Sequence, residues 1–320
     1  MRICMVGSGR MANAHSRALG ELPDVELHTV VDPDRDYAEA LRERYGYRRT
    51  LPDLDEALAQ EAIDAVVICT PNPLHAPQSA AALRAGKHVL CEIPLALSLA
   101  DTEELAHLAE ANRRCLMVCH TERFEAGRME LRRRIAVGEF HPVHVLGRYY
   151  MLRRGELKTE QAREGWVDNM LWHHGCHVVD AVMDIVGIHE PIDLHAQWGP
   201  AWPSLDLPLD VDVHWRALSP ITGDEVLVTM SLSHHAQWAE HDYHVIGLED
   251  DLLADHGALR HQEGVLVEES AGSARIIRQD TEFLAAVRES RAPEVDMASV
   301  LATMGVLQQA WEVWLRREAG

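Results

Sequence analysis

The sequence predicts an α/β chain in two parts. A doubly wound parallel sheet occupies residues 1–120, and an α+β part with a large, mostly antiparallel open sheet occupies 121–320. Three observations carry this prediction. In the first part, short continuous apolar runs alternate with helical patterns, as strands buried on both faces require. In the second part, strand-like runs are longer and alternate apolar with polar. They follow one another with little helix between, as in an antiparallel sheet with one open or partner-covered face. A glycine-rich turn directly follows the first strand, where a parallel sheet presents its carboxyl edge.

The elements follow in order. Ile3 to Val6 is a short buried strand, and Met11 to Gly20 a helix. Val25 to Val31 is a second strand, Asp36 to Tyr45 a second helix, and Asp53 to Gln60 a short third helix. Ala65 to Thr70 is rich in β-branched residues and reads as a strand. His75 to Ala85 is Ala-rich and helical, stopped by Gly86. His88 to Glu92 is a strand. Ser98 with Asp101 forms a capping box, which starts a helix over Leu99 to Arg113. Cys115 to Cys119 closes the first part as another strand. Beyond residue 120, strands are predicted at Val143–Arg153, Val211–Leu218, Glu225–His234 and Tyr243–Leu248. Helices are predicted at Asn169–Val186 and from Asp280 to Arg317, the last packing back on the first domain.

Composition narrows the function. The 320 residues include 30 Lys and Arg against 51 Asp and Glu, a formal net charge of −21. Nucleic acid and anionic membrane surfaces both call for clustered cations, so neither is an expected partner. No run approaches the roughly 18 apolar residues of a membrane span. The segment MRICMVGSGR turns polar before the apolar core of about 7–15 residues that a secretory signal needs. The six cysteines are scattered, as expected of reduced thiols in a cytoplasmic protein. Cys115 and Cys119 have no second pair to complete a zinc site. Histidine, at 20 residues, is the unusual count.

After the first strand comes Gly7-Ser8-Gly9-Arg10-Met11-Ala12, a G-x-G-x-x-A pattern opening a helix. Gly7 permits the tight turn, Gly9 lets the backbone approach a pyrophosphate, and Ala12 allows close helix packing. The helix N-terminus offers free N–H groups and a positive dipole end. The second strand ends in Asp32, placed to meet adenosine ribose hydroxyls. A carboxylate there repels a 2′-phosphate and favours NAD, whereas Arg35 could pair with that phosphate and admit NADP. Two more strand ends reach the same sheet edge. They are Thr70-Pro71-Asn72 with His75, and Glu92-Ile93-Pro94.

These turns, with Arg123-Phe124 after the strand Cys115–Cys119, Gly175-Cys176-His177-x-x-Asp180 and the run Glu282 to Val287, resemble the glucose-fructose oxidoreductase, inositol dehydrogenase and rhizopine-catabolism (GFO/IDH/MocA) family. The resemblance covers essentially the whole chain. It implies a nicotinamide-binding Rossmann domain, a C-terminal sheet domain, and hydride transfer at the cleft between them. It also implies a homodimer or homotetramer formed through the flat face of that sheet. Thr70, Pro71, Asn72, His75, Glu92 and Ile93 are thereby expected on the nicotinamide side. Two departures stand out. The family usually has Glu-Lys-Pro with a catalytic Lys, and Ile93 fills that slot here. Many members place an Asp four residues before the helix histidine, and His173 stands there. The departures, with Trp166, Asp168, Leu171, Trp172, His173, His174, His177 and Asp180, resemble the branch containing 4-carboxy-2-hydroxymuconate-6-semialdehyde dehydrogenase.

On an α-helix, His173, His177, Asp180 and Asp184 share a stripe, with His174 rotated about 100° away. Three readings fit that stripe. In the first, imidazole takes the O–H proton as hydride leaves a carbinol carbon, a task suited to its pKa near neutrality. His177 is then the base or relay, His173 assists it, and Asp180 orients it. In the second, His173 and His177 ligate zinc with Glu92 or Asp168 as third ligand; the nicotinamide mechanism does not require this, and no metal is expected. In the third, the histidines pack as satisfied core groups, His174 foremost. Arg123, Asp168, Trp172 and His174 are candidates for substrate contact. Arg148, Arg153 and Arg154 are further candidates for a substrate carboxylate.

The expectation is an NAD(P)-dependent dehydrogenase acting on a small hydroxyl or hemiacetal substrate, such as a carboxylated semialdehyde hemiacetal oxidised to a lactone. A sugar, cyclitol or biosynthetic carbonyl reductase is the alternative within enzymes. A non-catalytic dinucleotide sensor is the alternative outside them, since Ile93 cannot move a proton.

Overall fold

The computed structural model describes residues 1–59, 62–155, 169–270 and 273–318. The described residues divide into two compact units. One holds residues 1–59, 62–121 and 273–297, and the other 122–155, 169–270 and 298–318.

The first unit is a six-stranded parallel sheet in the order β3-β2-β1-β4-β5-β6. Its strands are β1 (Arg2–Val6), β2 (Glu26–Val31), β3 (Arg49–Leu51), β4 (Ala65–Ile68), β5 (His88–Cys91) and β6 (Leu116–Val118). Between them run α1 (Arg10–Gly20), α2 (Arg35–Tyr45), α3 (Leu54–Leu58), α4 (His75–Arg84) and α5 (Leu99–Ala111). β1 and β4 are buried almost throughout, as continuous apolar strands between two helix layers must be. The order reverses at β1–β4, which puts the carboxyl ends of these two strands at the switch point. Ser98 caps α5 as expected, accepting from the Asp101 amide at 3.1 Å. β3 is missed by the sequence pattern because its three residues are too few to show a period.

The second unit is an eight-stranded sheet in the order β16-β15-β14-β13-β7-β12-β11-β8. Its strands are β7 (Pro142–Leu152), β8 (Ile192–Trp198), β11 (Asp210–Leu218), β12 (Glu225–Ser233), β13 (His235–Gly247), β14 (Asp251–Asp255), β15 (Ala258–His261) and β16 (Gly264–Val267). β9 (Ala201–Trp202) and β10 (Leu207–Pro208) form a separate small hairpin. Every pairing in the large sheet is antiparallel except β7 with β12. In β11, Val211, Val213, Trp215 and Ala217 are buried and the residues between them are not. Helices α6 (Ala126–Ala136) and α7 (Cys176–Val186) belong to this unit. α7 lies so close on β7 that a Cβ at Gly147 would stand 2.5 Å from a Val178 methyl and 3.3 Å from the Tyr243 ring.

Two helical expectations change. The stretch from Asn169 to Val186 is not one α-helix, since Leu171–Gly175 form a π-turn before α7 begins. The terminal stretch is two helices, α8 (Ala274–Glu289) in the first unit and α9 (Met297–Glu318) in the second from residue 298 on. Ser290, left-handed at φ +52°, ends α8. No helix among the described residues is long and apolar enough to cross a membrane.

Candidate functional site

The first unit presents a phosphate cradle. Gly7 sits at φ +96°, where side chains are strained, and a Cβ there would stand 2.6 Å from the Cys69 carbonyl oxygen. Only glycine carries β1 past the end of β4. Gly9 is the N-cap of α1 and no side chain caps the helix, so its first amides point outward from the turn. Ala12 is fully buried, while Arg10 is exposed and Met11 half-buried. Asp32 accepts from the Ser8 hydroxyl at 2.5 Å and from the Asp34 amide at 2.9 Å. Its carboxylate therefore stands against the glycine turn, where ribose hydroxyls can replace the Ser8 contact. NAD fits this set: uncapped amides for the pyrophosphate and a carboxylate for the diol. Arg35 is exposed on α2. Replacing Asp32 by Ala is expected to weaken NAD about 10-fold to 100-fold, since a charged hydrogen bond contributes about 1.5–3 kcal/mol. It is also expected to narrow the preference over NADP; calorimetric titration of both nucleotides checks this.

The strand-end residues have distinct places. Thr70 donates its hydroxyl to the Gln78 amide oxygen at 2.6 Å. His75 is buried, with Nε2 2.7 Å from the Thr70 carbonyl and Nδ1 2.7 Å from the Pro94 carbonyl. It was expected beside the cofactor; it instead ties the Thr70-Pro71-Asn72 turn to the Ile93-Pro94 turn. Asn72 and Ile93 are buried at those turns.

Glu92 reveals a group that the sequence did not single out. Its Oε1 lies 2.9 Å from His15 Nε2, and His15 Nδ1 lies 2.9 Å from both oxygens of Asp280 on α8. His15 and Asp280 are fully buried. Burial alone would lower the imidazole pKa, but Asp280 and Glu92 outweigh it and push it up to about 10. Burial likewise raises Glu92, yet His15 holds it below the usual carboxylate range. Cys119 Sγ is 3.8 Å from His15 Nε2, so His15, Glu92 and Cys119 have the grouping of metal ligands. Burial keeps the Cys119 thiol far above its ordinary pKa. His15 raised above 6.5 contributes stability that is complete below about pH 6.5 and is lost as pH rises through about 10. The difference in melting temperature between the native chain and His15→Gln should therefore shrink from pH 7 to pH 10.

The second unit gathers imidazoles around one carboxylate. Glu122, in the turn Thr121–Phe124, is buried. Its Oε1 lies 3.3 Å from His177 Nδ1 on α7 and 3.1 Å from His241 Nε2 on β13. Its Oε2 accepts from the Tyr243 hydroxyl at 2.7 Å, with Arg128 at 3.5 Å. Arg128 is buried beneath the Tyr243 ring, 4.5 Å from its centroid. Burial would raise the Glu122 carboxyl, but His241, His177 and Arg128 hold it well below the usual range. Tyr149 is the cross-strand partner of His241, with ring centroids 4.2 Å apart, and it stacks on His177 at 6.1 Å.

The π-turn corrects the histidine stripe. His173 and His174 stack at 4.3 Å with an interplanar angle of 8°, where an α-helix would splay them. The smaller rotation per residue of the π-turn brings these neighbours together. His174, expected off the stripe, lies within the cluster. It is buried, 4.4 Å from Tyr149, and its Nδ1 is 2.9 Å from His234 Nε2. Burial, with His173 and His234 nearby, drives its pKa well below 6.5, so it is neutral.

Asp180 was expected to orient His177. Its two oxygens instead receive the Arg123 guanidinium at 2.9 and 2.6 Å, and both partners are buried. Arg123, expected at a substrate carboxylate, is thereby committed within the unit. One turn further on, Asp184 pairs with Arg132 at 2.8 Å. Among the described residues, the carboxylate nearest His177 Nδ1 is Glu122. Trp172 is buried, and Asp168 lies outside the described residues. Arg148 is held by Asp242 at 3.0 and 2.6 Å, and Arg154 donates to the His235 carbonyl. Glu122 was the missed residue, and His241 reads from the sequence, with His234, His235 and His244 flanking sheet strands, as an interface or surface group rather than as one of this cluster. His241 shares strand parity with Tyr243 and Val245, a signal of an inward-facing polar group, whereas Glu122, in the turn after β6, carries no such period.

Fold and turn together define an oxidoreductase that binds a nicotinamide nucleotide through a Rossmann unit. Residues 1–120 match the family described as oxidoreductases with an NAD-binding Rossmann fold, and residues 127–256 match the bacterial oxidoreductase C-terminal family. The chain belongs to the GFO/IDH/MocA oxidoreductase family and is an NAD-dependent enzyme. It is 31% identical to 4-carboxy-2-hydroxymuconate-6-semialdehyde dehydrogenase of Sphingobium sp. strain SYK-6, over 99% of this chain and 100% of that relative. It is 29% identical to myo-inositol 2-dehydrogenase of Thermotoga maritima over 46% of this chain and 44% of that one. Levoglucosan dehydrogenase, solved with NADH and levoglucosan, superposes with a TM-score of 0.85 at 17% identity, covering 99% of this chain and 97% of that one.

Proposed function

We propose that this enzyme oxidises the cyclic hemiacetal of a carboxylated semialdehyde to a lactone, with His177 as the base. The observation that carries the reading is the Glu122 carboxylate facing His177 Nδ1 at 3.3 Å. The Glu122 charge 3.3 Å from Nδ1, at ion-pair distance without hydrogen-bond alignment, favours the proton there and leaves Nε2, the opposite nitrogen, to accept one from substrate. Bound NAD would supply the hydride acceptor for the hemiacetal carbon. Asp32 and the glycine turn hold the nucleotide. His177 Nε2 takes the hydroxyl proton, which replaces the family's lysine, and Ile93 leaves an apolar side chain in that slot. His173, stacked on His174, is a second imidazole for the substrate oxygen. The full-length likeness to the semialdehyde dehydrogenase supports the substrate class.

The reading extends to a cytoplasmic homo-oligomer paired through the open sheet face. Ile192, Leu218 and Leu227 stand exposed on that face. The test is turnover. The purified chain with NAD and the carboxylated semialdehyde should form reduced nicotinamide and a lactone. NAD binding with turnover only on inositols or anhydrosugars would overturn this substrate in favour of a polyol, the class that the inositol relative acts on.

A further inference from the structure

We infer that His241 is a positioning residue that tunes His177 through a shared oxygen, so that the two imidazoles and Glu122 hold a single proton in common. The inference rests on His177 as the base proposed above. Its own support is geometric. His177 Nδ1 and His241 Nε2 converge on Glu122 Oε1, at 3.3 and 3.1 Å. The other oxygen is occupied by the Tyr243 hydroxyl. One carboxylate oxygen cannot neutralise two imidazolium ions as well as it neutralises one. A proton on either ring therefore opposes a proton on the other.

The surroundings set how many protons the group holds. From α6 and the turn before it come Glu125 and Arg128, which oppose each other at His241. From β13 comes Tyr243, whose hydroxyl burial and Glu122 hold in its neutral form. From β7 comes the Tyr149 ring, against both His177 and His241. His173 and His174 stand beside it, and His174 is neutral. Arg123 and Arg132 are taken by Asp180 and Asp184. Glu122 is left between the two rings with Arg128 at the edge of reach, and one imidazolium balances it. Exposure divides the roles. The His241 side chain is 31% exposed against 17% for His177, so His241 is the ring that exchanges its proton with water more readily. With the shared proton on His241, Nε2 of His177 is left to accept one from substrate. A lone His–Glu pair would instead hold its imidazole protonated and idle.

The experiment is an NMR titration of the imidazole resonances of the whole chain, ¹⁵N-labelled at histidine. It needs no substrate, so it stands apart from the substrate assignment. In His241→Gln the midpoint of His177 should rise by about one unit. In Glu122→Gln the midpoints of His177 and His241 should both fall. A His177 midpoint unchanged in His241→Gln would overturn the inference. Should that variant fail to fold, Glu122→Gln decides, since a fall in only one of the two midpoints would show that the rings do not share the carboxylate. Where the native chain turns over, the acid limb of its kcat/KM profile should move upward with His241→Gln. An unmoved limb with an intact NMR shift would instead remove His177 from the base role and leave the coupling standing.

Discussion

Replacing His177 by Gln is expected to lower kcat/KM by about 10²-fold to 10⁴-fold, the usual contribution of a positioned general base. NAD affinity should be unchanged, because the glycine turn and Asp32 belong to the other unit. The loss should fall on kcat, since the proton moves only as the hydride leaves. His173→Gln should cost less, because the carboxylate that meets the helix histidines at 3.3 Å meets His177. Steady-state kinetics of the two variants with a fixed substrate checks the order. Equal losses would mean that the two imidazoles share the proton, and a larger loss at His173 would move the base there.

Breaking the Arg123–Asp180 pair is expected to be the largest stability effect among single substitutions in the second unit. The guanidinium and carboxylate are 6% and 2% exposed and bidentate. Removing one partner leaves a buried charge without its counter-ion, at a cost of about 3–5 kcal/mol. Arg123→Met and Asp180→Asn should both lower the urea midpoint strongly. The double variant Arg123→Met with Asp180→Leu should recover much of the loss, because no charge then remains buried. The same experiment separates anchoring from catalysis at Asp180. As an anchor, Asp180→Asn retains kcat in whatever fraction stays folded. A collapse of kcat in fully folded protein would restore the role in orienting His177 that the helical spacing suggested.

The first unit was legible because its signals are local. A glycine at positive φ, a carboxylate ending the next strand and continuous apolar strands each follow from a few adjacent residues, and a parallel sheet follows from their alternation with helices. Even there, the His15–Asp280 contact joins residues 265 apart, and no period or motif connects them. In the second unit the histidine motif was visible, but its partners were not. α-Helical spacing put Asp180 under His177. The return of the Thr121–Phe124 turn against α7 and β13 puts Glu122 there instead.

The sequence by itself determined the class of enzyme, the nucleotide turn, and the parallel and antiparallel sheets. The tertiary structure alone decided which carboxylate meets which imidazole. The physical reason is range. Backbone conformation and strand burial are set by neighbouring side chains. A buried charge, by contrast, takes its partner from whatever element the fold brings within about 3–4 Å, because an unpaired charge in the interior is too costly to leave.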